Sequence, residues 1–130
     1  MSASTPESPV AALRAAADAV RQQLQAKAYD AIAVRQLADF IETQRNTLSA
    51  ADRQGVTTAL GCFLGQCLVE TYGGTWAQGP DNTTGVGINQ FHFFNPFFRI
   101  AEQFNKGLPE SVDIFFGRVP IQLANPGRRQ

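Results

Sequence analysis

The sequence predicts an α+β fold: N-terminal helices and a central buried helix packed on a small antiparallel sheet of two or three strands, then two short C-terminal helices. Three observations predict it. Apolar residues in the first half of the chain recur at steps of three and four, the period of one helix face. After Gly73-Gly74 the period shortens to two, over short runs separated by turn residues, which is the mark of strands. Asn95-Pro96 then supplies a helix start, with a cap oxygen followed by a residue whose missing N–H costs nothing there. At 130 residues the chain fits one domain. That domain is expected over residues 9–118, after a disordered leader at 1–8 and before a largely mobile extension at 119–130.

In order along the chain, Val10, Leu13, Ala17, Val20 and Leu24 give a first amphipathic helix over about 9–27. Asp30 is the N-cap of a second, running to about Asn46, with Val34, Leu37, Phe40 and Ile41 inward and Arg35, Asp39 and Glu42 outward. Ser49 to Asp52 has the spacing of a capping box with Asp in place of Glu. The third helix then reaches about Tyr72, where Gly73-Gly74 stop it. No charge falls between Arg53 and Glu70, so this helix is expected to be enclosed by protein from Val56 to Val69. Gly61 and Gly65 share one of its faces, and each glycine costs on the order of 1 kcal/mol against alanine, which implies a close packing partner.

"TWAQ" (75–78) reads as a strand, "GPDN" (79–82) as a turn, and "TGVGINQF" (84–91) as a second strand with Val86 and Ile88 on one face. Strict alternation past Ile88 would put His92 on that apolar face and take Phe91 and Phe93 off it. A bulge near Asn89 and Gln90, or a tight turn into a third short strand, answers this. A helix follows over about 96–106, closed by Gly107, with Phe97, Ile100, Ala101 and Phe104 inward. Pro109 opens a last short helix to about Phe116. The stretch "FHFFNPFF" (91–98) holds five of the ten phenylalanines and is read as core, the joint between sheet and helices.

Composition removes several function classes. Eleven basic residues balance eleven acidic ones, so there is no footprint for nucleic acid or for an anionic membrane. The uncharged stretch at 54–69 falls short of the roughly 20 residues a spanning helix needs. The start of the chain lacks the basic and continuous apolar regions of a signal peptide. Cys62 and Cys67 sit five apart in one helix, about 140° around its axis. They neither bridge each other nor match a zinc or redox spacing, and two buried thiols fit a reducing cytoplasm.

The runs "LGCFLGQCLVETYGGTW" (60–76), "NPFFRI" (95–100) and "GLPESVDIFF" (107–116) resemble a loose group of small bacterial domains of unknown function. Their pattern is a glycine-rich helix, then GG-x-W, a short sheet, a proline-led helix and a final short helix ending in aromatics. The resemblance spans roughly residues 50–117 and implies a fold type and a bacterial origin, with no assigned activity. Where those domains often read L-G-E, this chain has Leu64-Gly65-Gln66, and an uncharged Gln66 weakens acid–base chemistry at that position.

Few residues offer chemistry. His92 is the only histidine, which excludes a histidine-based metal cluster, and no G-x-S-x-G stretch presents a nucleophile for a triad. Glu70 is the one carboxylate of the apolar helix, near the end where the helix dipole disfavours negative charge. It either faces water or pairs with Arg99 or His92. Asp81 is the only other carboxylate between 54 and 98, which leaves paired-carboxylate hydrolysis little support. The glycines do not feed a helix start, and Lys27 and Lys106 are distant from them, which argues against a phosphate cradle. Trp76 is either a protein contact or a core cap. No catalytic residue, metal or cofactor is expected. The expected function is a non-enzymatic cytoplasmic interaction module that binds a protein partner or a second copy of itself as a homodimer, as immunity or adaptor proteins do. The alternative is a small-molecule-binding protein or hydrolase, with a pocket between the central helix and the sheet lined by Glu70, Trp76, Asn89 and His92.

Overall fold

A computed structural model describes residues 9–79 and 82–124. The expected leader, Pro80 and Asp81 of the expected turn, and the "NPGRRQ" tail lie outside the described residues. Within them, helices α1 (Pro9–Leu24), α2 (Ala31–Gln44) and α3 (Ala50–Tyr72) precede strands β1 (Thr75–Gln78), β2 (Thr84–Ile88) and β3 (His92–Phe94). Helix α4 (Pro96–Lys106), a single 3-10 turn at Leu108–Glu110 and helix α5 (Val112–Leu123) complete the chain. The architecture is α+β, with helices packed on an antiparallel sheet of order β1-β2-β3.

The helix starts are where the polar caps put them. Asp30, Ser49, Asn95 and Ser111 each accept a hydrogen bond from a first-turn backbone N–H of α2, α3, α4 and α5 respectively, and each such cap contributes about 1 kcal/mol. Gly73 ends α3 in the left-handed conformation at φ 76°, its N–H donating to the Val69 carbonyl. Helix α1 ends at Leu24, short of the expected 27, because Gln25 turns left-handed at φ 59°. Helix α2 ends at Gln44, short of Asn46.

In the sheet, Trp76 lies opposite Val86, Val86 opposite Phe94, and Ile88 opposite His92. Residues directly opposite share a face, so these five side chains form the inner face, and all are buried. The expected strand 84–91 is shorter than read: β2 stops at Ile88 and a tight turn at Asn89–Phe91 leads into β3. Asn89 sits at φ 49°, and its side-chain oxygen accepts the Phe91 N–H at 2.8 Å, an Asx turn that closes the hairpin. His92 therefore does join the apolar face, whereas Phe91 is 67% exposed at the turn. Phe93 lies on the outer face, its ring over Gly79 and Gly85, where no side chain would fit.

The core runs between the sheet and the helices. Helix α3 is buried without interruption from Leu60 to Leu68, and its first turns are more open than expected, with Thr58 exposed. Phe63, Leu64 and Leu68 meet Val34, Leu37 and Ile41 of α2, Ile100 of α4 and Val112, Phe116 and Val119 of α5 in one cluster. Gly61 faces the Phe97 ring and Gly65 the Trp76 indole so closely that neither position has room for a Cβ. That is the close partner the paired glycines imply. The "FHFFNPFF" stretch is core only in part: Phe94 is buried and Phe97 half-buried, but Phe98, like Phe91, faces out at 51%.

The C-terminal end departs most from expectation. Pro109 opens only the 3-10 turn; Ser111 caps α5, which continues past Phe116 through Pro120 to Leu123. Val119, read as the start of a mobile extension, is fully buried.

Candidate functional site

The four residues singled out for a site fall into two separate hydrogen-bonded groups. In the first, the Trp76 Nε1–H donates to Gln66 Oε1 at 3.1 Å, and Gln66 Nε2 donates to Glu70 Oε2 at 2.8 Å. Helix α3 sets this up by placing Gln66 and Glu70 one turn apart on the flank beside Gly65, against which the indole lies. Trp76 is 6% exposed and Gln66 is buried, while Glu70 reaches water. Gln66, whose lack of charge weakened a catalytic reading, bridges tryptophan and carboxylate as a neutral donor–acceptor.

In the second group, Asn89 Oδ1 lies 3.2 Å from His92 Nδ1 while also accepting the Phe91 N–H. An oxygen that already accepts one N–H must face a donor in the imidazole, so Nδ1 carries the proton. Nε2 is buried without a hydrogen-bond partner. The ring, 4% exposed, stacks on Phe94 at 6.3 Å and 7°. Among the described residues no hydrogen bond joins Glu70 to His92. The space foreseen between α3 and the sheet is occupied by the rings of Trp76 and Phe97, 6.3 Å apart and seated on Gly65 and Gly61.

The thiols are quiet. Cys62 and Cys67 are free and buried. Burial pushes both up, Cys67 far above the ordinary thiol range with the Asp30 and Glu70 charges adding to it, so neither supplies a thiolate. Among the described residues no group of three or more histidine, cysteine or carboxylate side chains is placed to hold a metal ion.

Surface concavities lie elsewhere. A groove of about 240 Å3 runs between the start of α1 and β1, lined by Val10, Leu13, Trp76 and Gln78, so Trp76 borders it from below. A smaller, more polar pocket of about 140 Å3 sits between α4 and α5, lined by Arg99, Glu110, Ile114, Phe115, Arg118 and Gln122. The Arg99 guanidinium lies 4.7 Å from the Phe115 ring centre and 5.7 Å from that of Phe98. In the sequence Arg99 stands out only as a partner for Glu70, and Arg118 does not stand out at all. The signal available is their position beside outward-facing Phe98 and Ile114, legible only once α5 is known to pass Phe116.

A comparison with known proteins finds no match: no family model fits the chain, and no curated protein or solved structure is similar to it.

Proposed function

We propose that the chain is a non-enzymatic protein-interaction module of the bacterial cytoplasm, acting on a specific protein partner or a second copy of itself in the manner of an immunity or adaptor protein. The observation that supports this reading is the surface formed by the start of α4 and the outer face of α5. Phe98 and Ile114 are exposed there, with Arg99 over the Phe98 ring and Arg118 one turn on from Ile114, and Leu108 in the 3-10 turn and Ile121 further along α5 are exposed as well. Large apolar side chains around arginine are the composition of contact hot spots. Two buried thiols with no disulfide suit a reducing compartment. The alternative, a small-molecule binder or hydrolase, has the unpartnered Nε2 of His92 in its favour. Against it stand the ring-filled space beside α3 and the separation of Glu70 from His92 into different networks.

The test is a photo-crosslinking residue placed at 98 or 114 in the producing cell, with Gln22 on the exposed face of α1 as control, together with sedimentation velocity. Adducts from 98 and 114 but not from 22, or a dimer dissociated by Phe98→Ser with Ile114→Ser, are expected. A monomer that yields no adduct above the control position ends the reading.

A further inference from the structure

The pocket between α4 and α5 deepens the interaction reading and rests on it. Four basic residues are paired with carboxylates: Arg21 with Asp18, Arg35 with Asp113, Arg45 with Glu42 and Lys106 with Glu102; Arg53 instead donates to the Arg45 carbonyl. Neither Arg99 nor Arg118 has a carboxylate within ion-pair distance among the described residues. Arg99 is nonetheless held in place, its planar head packed against the Phe115 and Phe98 rings. Such a head loses little freedom on binding and presents its fork of donors ready-made. Two of the first amides of α5 are already taken, Val112 N–H by Gln103 Oε1 and Asp113 N–H by Ser111 Oγ. The charge that recognises an anion here comes from the guanidiniums.

Charge and size narrow the guest. The pocket sets two arginines against one carboxylate, Glu110. A singly charged anion balances that sum, whereas a dianionic phosphate would lie against Glu110 with charge to spare. At about 140 Å3 the space is well below the roughly 300 Å3 at which small-molecule pockets begin. It suits the end of one side chain, with the exposed rim of Phe98 and Ile114 left for the residues beside it.

We propose that the partner protein inserts an aspartate or glutamate side chain between Arg99 and Arg118, flanked by apolar residues that cover Phe98 and Ile114. The test is selection of random twelve-residue peptides displayed against the immobilised full chain, with the affinities of the synthetic peptides then measured. Selected peptides are expected to share an acidic residue beside an apolar one. Binding is expected to fall by about tenfold or more when that acid becomes its amide, or when the protein carries Arg118→Gln or Arg99→Gln. Arg118 is exposed, so Arg118→Gln keeps the fold and decides the matter if Arg99→Gln loses stability. Peptides that bind without an acid, peptides indifferent to both arginine variants, or a selection yielding none overturn the proposal. Replacing the acid by phosphoserine with a tenfold gain overturns the choice of carboxylate over phosphate. Acid-free peptides that lose binding on Phe98→Ser with Ile114→Ser sink this inference and leave the interaction reading standing.

Discussion

The Tyr72 hydroxyl donates a 2.8 Å hydrogen bond to the Phe116 carbonyl, the acceptor that Pro120 leaves without its helical donor. A proline inside a helix removes the N–H that would bond four residues back. Here the freed carbonyl is met from the end of α3, and the two rings pack at 4.9 Å. Tyr72→Phe is expected to cost about 1–2 kcal/mol by orphaning that carbonyl. In a Pro120→Ala background the same change should cost less, because the new N–H at 120 serves Phe116. Denaturant unfolding of the four proteins measures the coupling; equal costs in both backgrounds would refute it.

The same phenol makes alkaline stability readable. Burial pushes the Tyr72 hydroxyl above its ordinary value, and Tyr29 is raised too, by burial first and then by the Asp18 charge. A raised acid binds its proton more tightly when folded, so the contribution is whole below about pH 10 and is lost as pH climbs through the folded value. Tyr72→Phe should flatten part of that decline, and Tyr72→Phe with Tyr29→Phe more of it. A wild-type stability curve level from about pH 9 to 11.5 would contradict this.

Three glycines of α3 separate packing from propensity. At Gly55 a methyl would meet open space, and Gly55→Ala should stabilise by up to about 1 kcal/mol. At Gly65 the same methyl meets the Trp76 indole, and at Gly61 the Phe97 ring. Overpacking of about 1–3 kcal/mol should outweigh the helical gain, so both variants are expected to lose stability. Gly65→Ala should in addition shift tryptophan emission, since moving the indole strains its bond to Gln66.

These residues also mark how far the fold is legible in the sequence. The caps at Asp30, Ser49 and Asn95 and the stop at Gly73 depend on neighbours a few residues away and were legible; the paired glycines announced a close partner, but not that Phe97 and Trp76 would be it. The end of β2 was only half legible, because alternation through Asn89–Phe91 looks the same for a strand and for a three-residue turn. The length of α5 was hidden because glycine and proline, here Gly117 and Pro120, ordinarily disfavour a helix interior, while the partner that satisfies Phe116 lies 44 residues back. The site suffered in the same way. Glu70, Trp76, Asn89 and His92 are the polar exceptions of an apolar region, but whether exceptions meet depends on register, and here Trp76–Gln66–Glu70 and Asn89–His92 remain apart.

Gln103 is the residue that escaped notice and has most to lose. Its neighbours Ile100 and Phe104 fit the expected inner stripe, yet the polar residue between them is fully buried. Its Nε2 donates to the Ala38 carbonyl at 3.0 Å and to Glu42 Oε2 at 2.8 Å, while its Oε1 accepts the Val112 N–H at 2.9 Å. One amide thus ties α2, α4 and the start of α5 together with its bonding groups engaged. Gln103→Leu keeps much of the shape but strands the buried Val112 N–H, worth about 1–3 kcal/mol, and takes away the second bond at the Ala38 carbonyl and the donor facing Glu42. A loss of at least about 2 kcal/mol in denaturant unfolding is expected. A general core defect would loosen all elements alike. Loss of this bond should instead speed hydrogen exchange at Val112 first, ahead of the amides in the middle of α3, and uniform acceleration would show that Gln103 serves only as filler.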